Sequence, residues 1–355
     1  MLDKSGMNTP PDPSPVSLAD DALSTTLGGL DDVVSDVARI GSYQQLPPAD
    51  GLHMAISLSH RLQLAIGELQ QAGYPREAIV KRLEPARAVH AESPFIRRLQ
   101  DWPRGYPGDF ETIEYLMQQE NHALPGRLSY WLEQYALDSA LAQQHRNKAD
   151  LQARAILEAV LSSGNDTEEP RVLVLAAGGS PDLRQIQSIL STQRFRVVLL
   201  DQDAEALAFS AERLPLIADR ITLVKRNVVR GLQDVRSLGP FNLVLAGGLF
   251  DYLPNKVATM VLRYAREQLL APGGRVVFTN IADSNLYRPW MEHMADWMLI
   301  HRSVADVRQL ALEAGYADSA VTVTRERTGL TLIVDSHIPC GSDAAWGASP
   351  VGLTN

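Results

Sequence analysis

The chain has 355 residues, a formal net charge of −9 at pH 7 and a single cysteine, Cys340. That length can hold two domains with a core in each. The acidic balance, without a basic run, speaks against nucleic acid as a partner, and one cysteine excludes a disulfide framework or a cysteine-rich metal site.

Residues 1–16 are rich in Pro, Ser and Asp and read as a disordered tail. They contain no apolar h-region, and no apolar run in the chain approaches the roughly 20 residues of a membrane span. A cytoplasmic protein without a bound metal is the expectation. From Leu18 to about Leu161 apolar residues recur at spacings of three and four, as in LHMAISLSHRLQLAIGELQQAG and LSYWLEQYALDSALAQQHRNKADLQARAILEAVL. This periodicity predicts an all-helical domain over 17–165, with breaks at Gly73 and Gly126. SSGNDTEEP (162–170) predicts a linker. The texture then changes over 166–340, where RVLVLAA, RVVLLDQD, ITLVKRNVV, FNLVLAGG and GRVVFTNIA alternate with helical segments. AVTVTRER and LTLIVDSH, parted by a Thr-Gly turn, predict a closing hairpin. Five βα units and a hairpin give an α/β fold, a seven-stranded, mostly parallel Rossmann-like sheet with helices on both faces. Residues 341–355 read as a second tail.

Ligands of such sheets lie at the carboxyl ends of the strands, so the residues after each strand carry the functional reading. RVLVLAAGGSPDLRQIQSIL (171–190) is strand, glycine turn and helix. A pyrophosphate needs backbone N–H groups at a helix N-terminus free of a competing anion. Here Asp182 stands at that terminus, no Lys or Arg precedes Arg184, and only Gly178-Gly179 remains of the G-x-G-x-x-G spacing. A plain βα connection is one reading of this turn, and a site for a cationic or zwitterionic ligand is the other. Asp201 ends the second strand, 23 positions after Gly178, where a carboxylate accepts hydrogen bonds from ribose hydroxyls. Asp203 reads as the cap of the next helix. Asn227, after the third strand, is either an adenine-edge partner or a turn residue. Glycine turn, ribose acid and adenine-edge amide, with no phosphate cradle, together describe S-adenosylmethionine (SAM).

Residues 171 to 338 resemble a class I SAM-dependent methyltransferase domain. LVLAAGGS resembles its motif I, LLDQD its acidic post-I motif and LAPGGRVVFTN its strand-five signature. The chain departs from that pattern at Ala176, which stands where the first glycine is expected. PFIRRLQDWPRGYPGDFETIEYL (94–116), HRNK (145–148), GLFDYLP (248–254) and MEHMADWMLIHR (291–302) together resemble a bacterial branch with an N-terminal helical lid. That branch includes 3-hydroxypalmitate methyl ester synthases and enzymes that cyclise SAM to azetidine-2-carboxylate. The resemblance implies a helical lid (17–165) beside a SAM-binding catalytic domain (166–340), with SAM as cosubstrate or sole substrate. It leaves two reactions open, methyl transfer to a small-molecule carboxylate or hydroxyl, and intramolecular attack of the SAM amine that releases methylthioadenosine. A non-catalytic SAM-binding protein is a third reading; Asp182 and the missing third glycine speak against a nicotinamide oxidoreductase.

A sulfonium leaves without acid catalysis, so alignment and exclusion of water should dominate. Tyr106, on the Gly/Pro turn RGYPGDF, is the expected partner of the sulfonium by cation–π attraction, with Tyr115, Asn147 and Tyr252 as further catalytic candidates. Asp109 reads either as the cap of a helix from Phe110 or as a partner of the ligand ammonium. Arg146 or Asn147 is the candidate for the SAM carboxylate, and Lys148 is read as part of a solvated charged face. The expected binding residues are completed by Ala176, Ala177 and Gly178, Asp201 and Gln202, Asn227 and Val228, and Gly247, Phe250 and Asp251. Asn280 is expected on the same rim, and Trp297 and Arg302 either as core and surface residues or at the site.

Overall fold

The computed structural model describes residues 15–162 and 169–339. The expected tails lie outside the described residues, except for Pro15 and Val16, which open the first helix, and so does most of the expected linker. The chain runs through α1 (Pro15–Gly41), α2 (Pro48–Gln71), α3 (Arg76–His90), α4 (Pro94–Asp101), α5 (Phe110–Gln118), α6 (Leu128–Asp138) and α7 (Ala140–Leu161). There follow β1 (Arg171–Leu175), α8 (Pro181–Leu190), β2 (Arg196–Asp201), α9 (Ala204–Arg213), β3 (Ile221–Lys225), α10 (Val228–Val235) and β4 (Phe241–Ala246). The last part comprises α11 (Asn255–Tyr264), β5 (Leu270–Ile281), α12 (Arg288–His293), α13 (Val304–Glu313), β6 (Val321–Arg325) and β7 (Thr331–His337).

The helix breaks have local causes. Gly73 takes φ +73° after α2 and Gly126 φ +85° before α6, a left-handed conformation that glycine adopts without penalty. The helical run expected from Leu128 to Leu161 is two helices. Ser139 leaves helical geometry (φ −63°, ψ 157°) and accepts the N–H of Ala142, capping α7.

Two compact units are present, and neither is continuous in sequence. The first gathers α1 to α4, residues 121–135 and the segment 286–297, which carries α12. Its core is leucine and isoleucine from helical repeats, including Leu62, Ile66, Leu69, Ile79 and Leu83. The segment between β5 and α13 is fastened to α3 by charge: Asp296 accepts from Arg76 at 2.6 Å and from Arg87 at 2.5 Å. Trp297, at the end of this segment, is buried.

The second unit holds the sheet together with Arg104–Glu120 and Ala136–Asn285, so α5 and α7, which the sequence reading grouped with the helical domain, cluster with the strands. The strand order is β3-β2-β1-β4-β5-β7-β6. β1 pairs in parallel with both β2 and β4, so the order reverses beside it, and β7 is antiparallel to β5 and β6. This is the expected fold class. The two sides of β1 separate by alternation. Leu173 and Leu175 join a cluster with α10, α11 and α13 residues such as Leu232, Val261 and Leu310, while Val172 and Val174 join Ile156, Leu183 and Ile186 of α7 and α8. Each fully buried aliphatic side chain contributes roughly 1.5–3 kcal/mol. No described helix is long and apolar enough to cross a membrane.

Candidate functional site

The turn after β1 carries three left-handed residues, Ala176 (φ 52°), Gly178 (φ 53°) and Ser180 (φ 48°). Ala176 is therefore an alanine in a conformation that glycine prefers, which explains why glycine is the residue of the resembled pattern at that position. The turn is tied to β2. Gly178 N donates to Asp201 Oδ2 at 2.9 Å, and Asp203 N donates to Asp201 Oδ1 at 2.9 Å. Burial raises the Asp201 pKa and these backbone donors oppose the rise. Ala177 is buried and donates its N–H to Leu200 O at 3.3 Å. A Cβ on Gly179 would lie 2.6 Å from Glu114 Oε1, so the Glu114 side chain of α5 packs against the turn. Asp182 is buried in the first turn of α8, and burial pushes its carboxyl up to about 6.

The segment before α5 is held to the loop after β2. Arg104 donates to both oxygens of Asp203, at 2.7 and 2.8 Å, in the bidentate geometry that suits guanidinium and carboxylate. The Tyr106 hydroxyl donates to Asp203 Oδ2 at 3.3 Å. Asp203 also caps α9, as expected, accepting from Glu205 N at 2.9 Å. Burial raises the Tyr106 pKa first, and the charges of Asp203, Asp201 and Asp109 raise it further against the pull of Arg104. Asp109 is buried and accepts Thr112 N at 2.8 Å, the capping reading of this residue. Tyr115 lies half-buried on α5. On the other side, Tyr252 donates its hydroxyl to Pro107 O at 3.1 Å. Residues 104–109 thus touch both the loop after β2 and the loop after β4.

Gln202 and Asn227 pair across the ends of β2 and β3, with Asn227 Nδ2 donating to Gln202 Oε1 at 3.3 Å. Both are exposed, and Asn227 precedes α10 without a side-chain cap to it. Val228 beside it is buried.

Several expected residues are committed elsewhere. Phe250 is fully buried and stacks on Phe278 at 4.2 Å, so its ring belongs to the core rather than to a ligand. Arg146 donates to Leu116 O at 2.8 Å, to Leu137 O at 3.2 Å and to Gln143 Oε1. It closes off helix carbonyls that would otherwise lack partners, and its donors do not face a ligand carboxylate. Asn147 uses both ends of its amide, donating to Glu326 at 2.8 Å and accepting from Gln143 at 2.9 Å. Asn280 is buried and donates to the carbonyls of Ile281 and Ile300. Arg302 is a buried tie, with Phe250 O, Leu253 O, Asn255 and Asn280 as acceptors.

The expectation for Lys148 is overturned: it is 6% exposed, buried rather than solvated. α7 has a wide buried face because the sheet covers it, and Gln144, His145 and Gln152 are buried with it. Burial lowers the Lys148 pKa, and the charges of Asp251 and Glu326 oppose this. Asp251 is buried, accepts Ile281 N at 2.6 Å, and is pushed up to about 6 by burial against the pull of Lys148. Burial likewise pushes the Glu326 carboxyl up, but donors from Asn147, Thr328 and Leu330 outweigh it, and the pKa falls below the usual range. Gly247 is exposed, and a Cβ there would lie 2.2 Å from Gln152 Nε2. Sequence reasoning passed over Lys148, Glu326 and Arg104 as candidate site residues, although Arg104 opens the turn RGYPGDF.

No protein-family model and no curated protein sequence matches the chain. Among solved structures, a chain from Bordetella parapertussis described as a possible exported protein aligns with 92% of this chain and 99% of its own length, at 16% identity and a TM-score of 0.50. The CurJ carbon methyltransferase aligns with 91% of this chain and 95% of its own, at 15% identity and a TM-score of 0.49. A magnesium protoporphyrin IX methyltransferase from Synechocystis PCC 6803, solved with bound SAH, covers 56% of this chain and 87% of its own, at 11% identity and a TM-score of 0.42. The likeness to the Bordetella chain is one of fold.

Proposed function

We propose that the chain is a SAM-dependent enzyme that transfers the SAM methyl group to a small-molecule acceptor through a carboxylate or hydroxyl. The observation that carries this reading is the buried Asp201 carboxylate, which ends β2 beside the switch in strand order and holds Gly178 N. A carboxylate has about four acceptor positions, so Asp201 can take ribose hydroxyls in addition to its backbone donors. Gln202 and Asn227 lie where an adenine edge would follow. The turn itself carries an acid, Asp182, and no cation, which suits a sulfonium ligand and not a diphosphate. The carboxylates of Asp201 and Asp109 near Tyr106 add negative potential where a cation is to be held, while the charge of Asp203 is matched by Arg104.

SAM supplies the transferable methyl group; the chain's own residues align the reactants and keep water out. Orientation of this kind can contribute roughly 7–11 kcal/mol. The segment 104–118 is the part of the helical lid that this reading uses. Its clamp to Asp203 and its contact with Tyr252 would close the site over the ligand. A cytoplasmic setting, in bacterial secondary metabolism or signalling, belongs to the same proposal, with SAM and the acceptor as partners.

The test is product analysis by mass, with pure protein and SAM in the presence and absence of small acids and alcohols. Adenosylhomocysteine formed only with an acceptor supports the proposal. Methylthioadenosine and a four-membered imino acid from SAM alone would assign the cyclisation instead. Bound but unchanged SAM in every mixture would make the chain a binding protein.

A further inference from the structure

Lys148 is the unexplained charge of the sheet-bearing unit. Its side chain is 6% exposed. Among the described residues no hydrogen bond or ion pair reaches its Nζ, and the carboxylates of Asp251 and Glu326 act on it only through space. An ammonium group has three donors and no acceptor, and burying it without partners is unfavourable unless something completes its shell. The neighbouring acceptors are engaged. Glu326 accepts from Asn147, Thr328 and Leu330, Asp251 accepts from Ile281 N, and Gln144 accepts the Thr331 hydroxyl.

One glycine lies beside the amine. Gly248 follows β4 with φ +110°, and a Cβ there would lie 3.9 Å from Lys148 Nζ. The amine therefore faces the end of β4. In the sheet β4 flanks β1 on one side and β2, with Asp201, flanks it on the other. The free cation and the proposed ribose acid stand on opposite sides of the glycine turn.

We propose that Lys148 is a ligand-binding residue whose ammonium takes a carboxylate oxygen at the end of β4. The proposal rests on the SAM reading above and adds the group that recognises an acid. Arg146, expected for that role from sequence, has its donors on helix carbonyls. Two molecules of the proposed reaction can carry the carboxylate, SAM at its amino-acid end and an acceptor acid. Hydrogen bonds to a charged group set the scale of the effect at roughly ten- to hundredfold in affinity.

The experiment is calorimetric titration of the full chain and of Lys148→Met with SAM, with decarboxylated SAM and, on protein saturated with adenosylhomocysteine, with hexanoate. If SAM supplies the carboxylate, the wild type binds SAM about ten- to hundredfold tighter than decarboxylated SAM, and Lys148→Met binds the two alike. If the acceptor supplies it, both proteins bind SAM equally, and only the wild type binds hexanoate. The wild-type comparison needs no variant, and Lys148→Gln serves should Met not fold. A wild type indifferent to the SAM carboxylate that also binds no hexanoate overturns the proposal, as does a variant that matches it for every ligand. A wild type that binds no SAM defeats the SAM reading, and hexanoate alone then decides whether Lys148 holds an acid.

Discussion

Gly178 donates its backbone N–H to Oδ2 of Asp201 across 2.9 Å, joining the turn after β1 to the end of β2. One carboxylate thereby ties the turn to β2 and, in the proposed reading, offers its remaining acceptors to a ligand. On the proposed reading loop geometry and ligand recognition are coupled through this one side chain, and the neighbouring residues should show it.

Ala176 occupies φ 52° in that turn. An L-residue in the left-handed region is disfavoured by roughly 1–2 kcal/mol, part of which glycine gives back through its freer unfolded chain. Ala176→Gly should raise stability by about 0.5–1 kcal/mol, read from the denaturant midpoint at constant slope. An unchanged or lower midpoint would show that the alanine methyl contributes more than the strain takes away.

Tyr106 offers a ring to the proposed sulfonium and a hydroxyl to Asp203 at 3.3 Å. Tyr106→Phe keeps the ring and should retain most SAM affinity. Tyr106→Leu, of similar bulk without the ring quadrupole, should lose about five- to thirtyfold, or roughly 1–2 kcal/mol. Equal affinities for Phe and Leu would reduce the ring to a filler. A Phe variant as weak as Leu would transfer the role to the hydroxyl and its Asp203 partner.

The strands and their closing hairpin were legible because apolar runs and turn residues are local signals, and the glycine breaks at Gly73 and Gly126 for the same reason. What stayed hidden depends on contacts distant in sequence. Asn147 and Glu326 meet over 179 positions, through the turn between β6 and β7. Lys148 reads as exposed because its neighbours Arg146 and Asp150 are polar, yet α7 is covered widely enough to bury it. Phe250 follows a strand where ligands are expected, and only the Phe278 ring decides that it turns inward. Polar Ser139 sits within a helical period, and its role as a cap shows only in its backbone angles.

His90 tests the helical unit. It is buried, its Nδ1 contacts Ala86 O at 2.8 Å, and its Nε2 has no partner among the described residues. Burial lowers its pKa from 6.5 to about 4. Above pH 6.5 the ring is neutral in both states and has no effect on pH dependence. Between about 6.5 and 4 the unfolded chain binds the proton and the folded one does not, so stability falls by about 3 kcal/mol over that window. Asp182 and Asp251, raised to about 6, act in the opposite sense between 3.8 and 6. The difference between wild type and His90→Leu isolates the histidine. The stability of the wild type should drop relative to the variant as pH falls below 6.5, and parallel curves from pH 7 to 4.5 would contradict the assignment.

The most direct measurement for the whole account is a calorimetric titration of the wild type and of Asp201→Asn with SAM, with NAD as a control. Asn keeps the size of the side chain and removes the charge that receives Gly178 N and Asp203 N and, in the proposed reading, the ribose hydroxyls. The wild type should bind SAM and not NAD, and Asp201→Asn should bind SAM about ten- to hundredfold more weakly, or roughly 1.5–3 kcal/mol. Equal SAM affinity in the two proteins, or a wild type that prefers NAD, would contradict the assignment of this site.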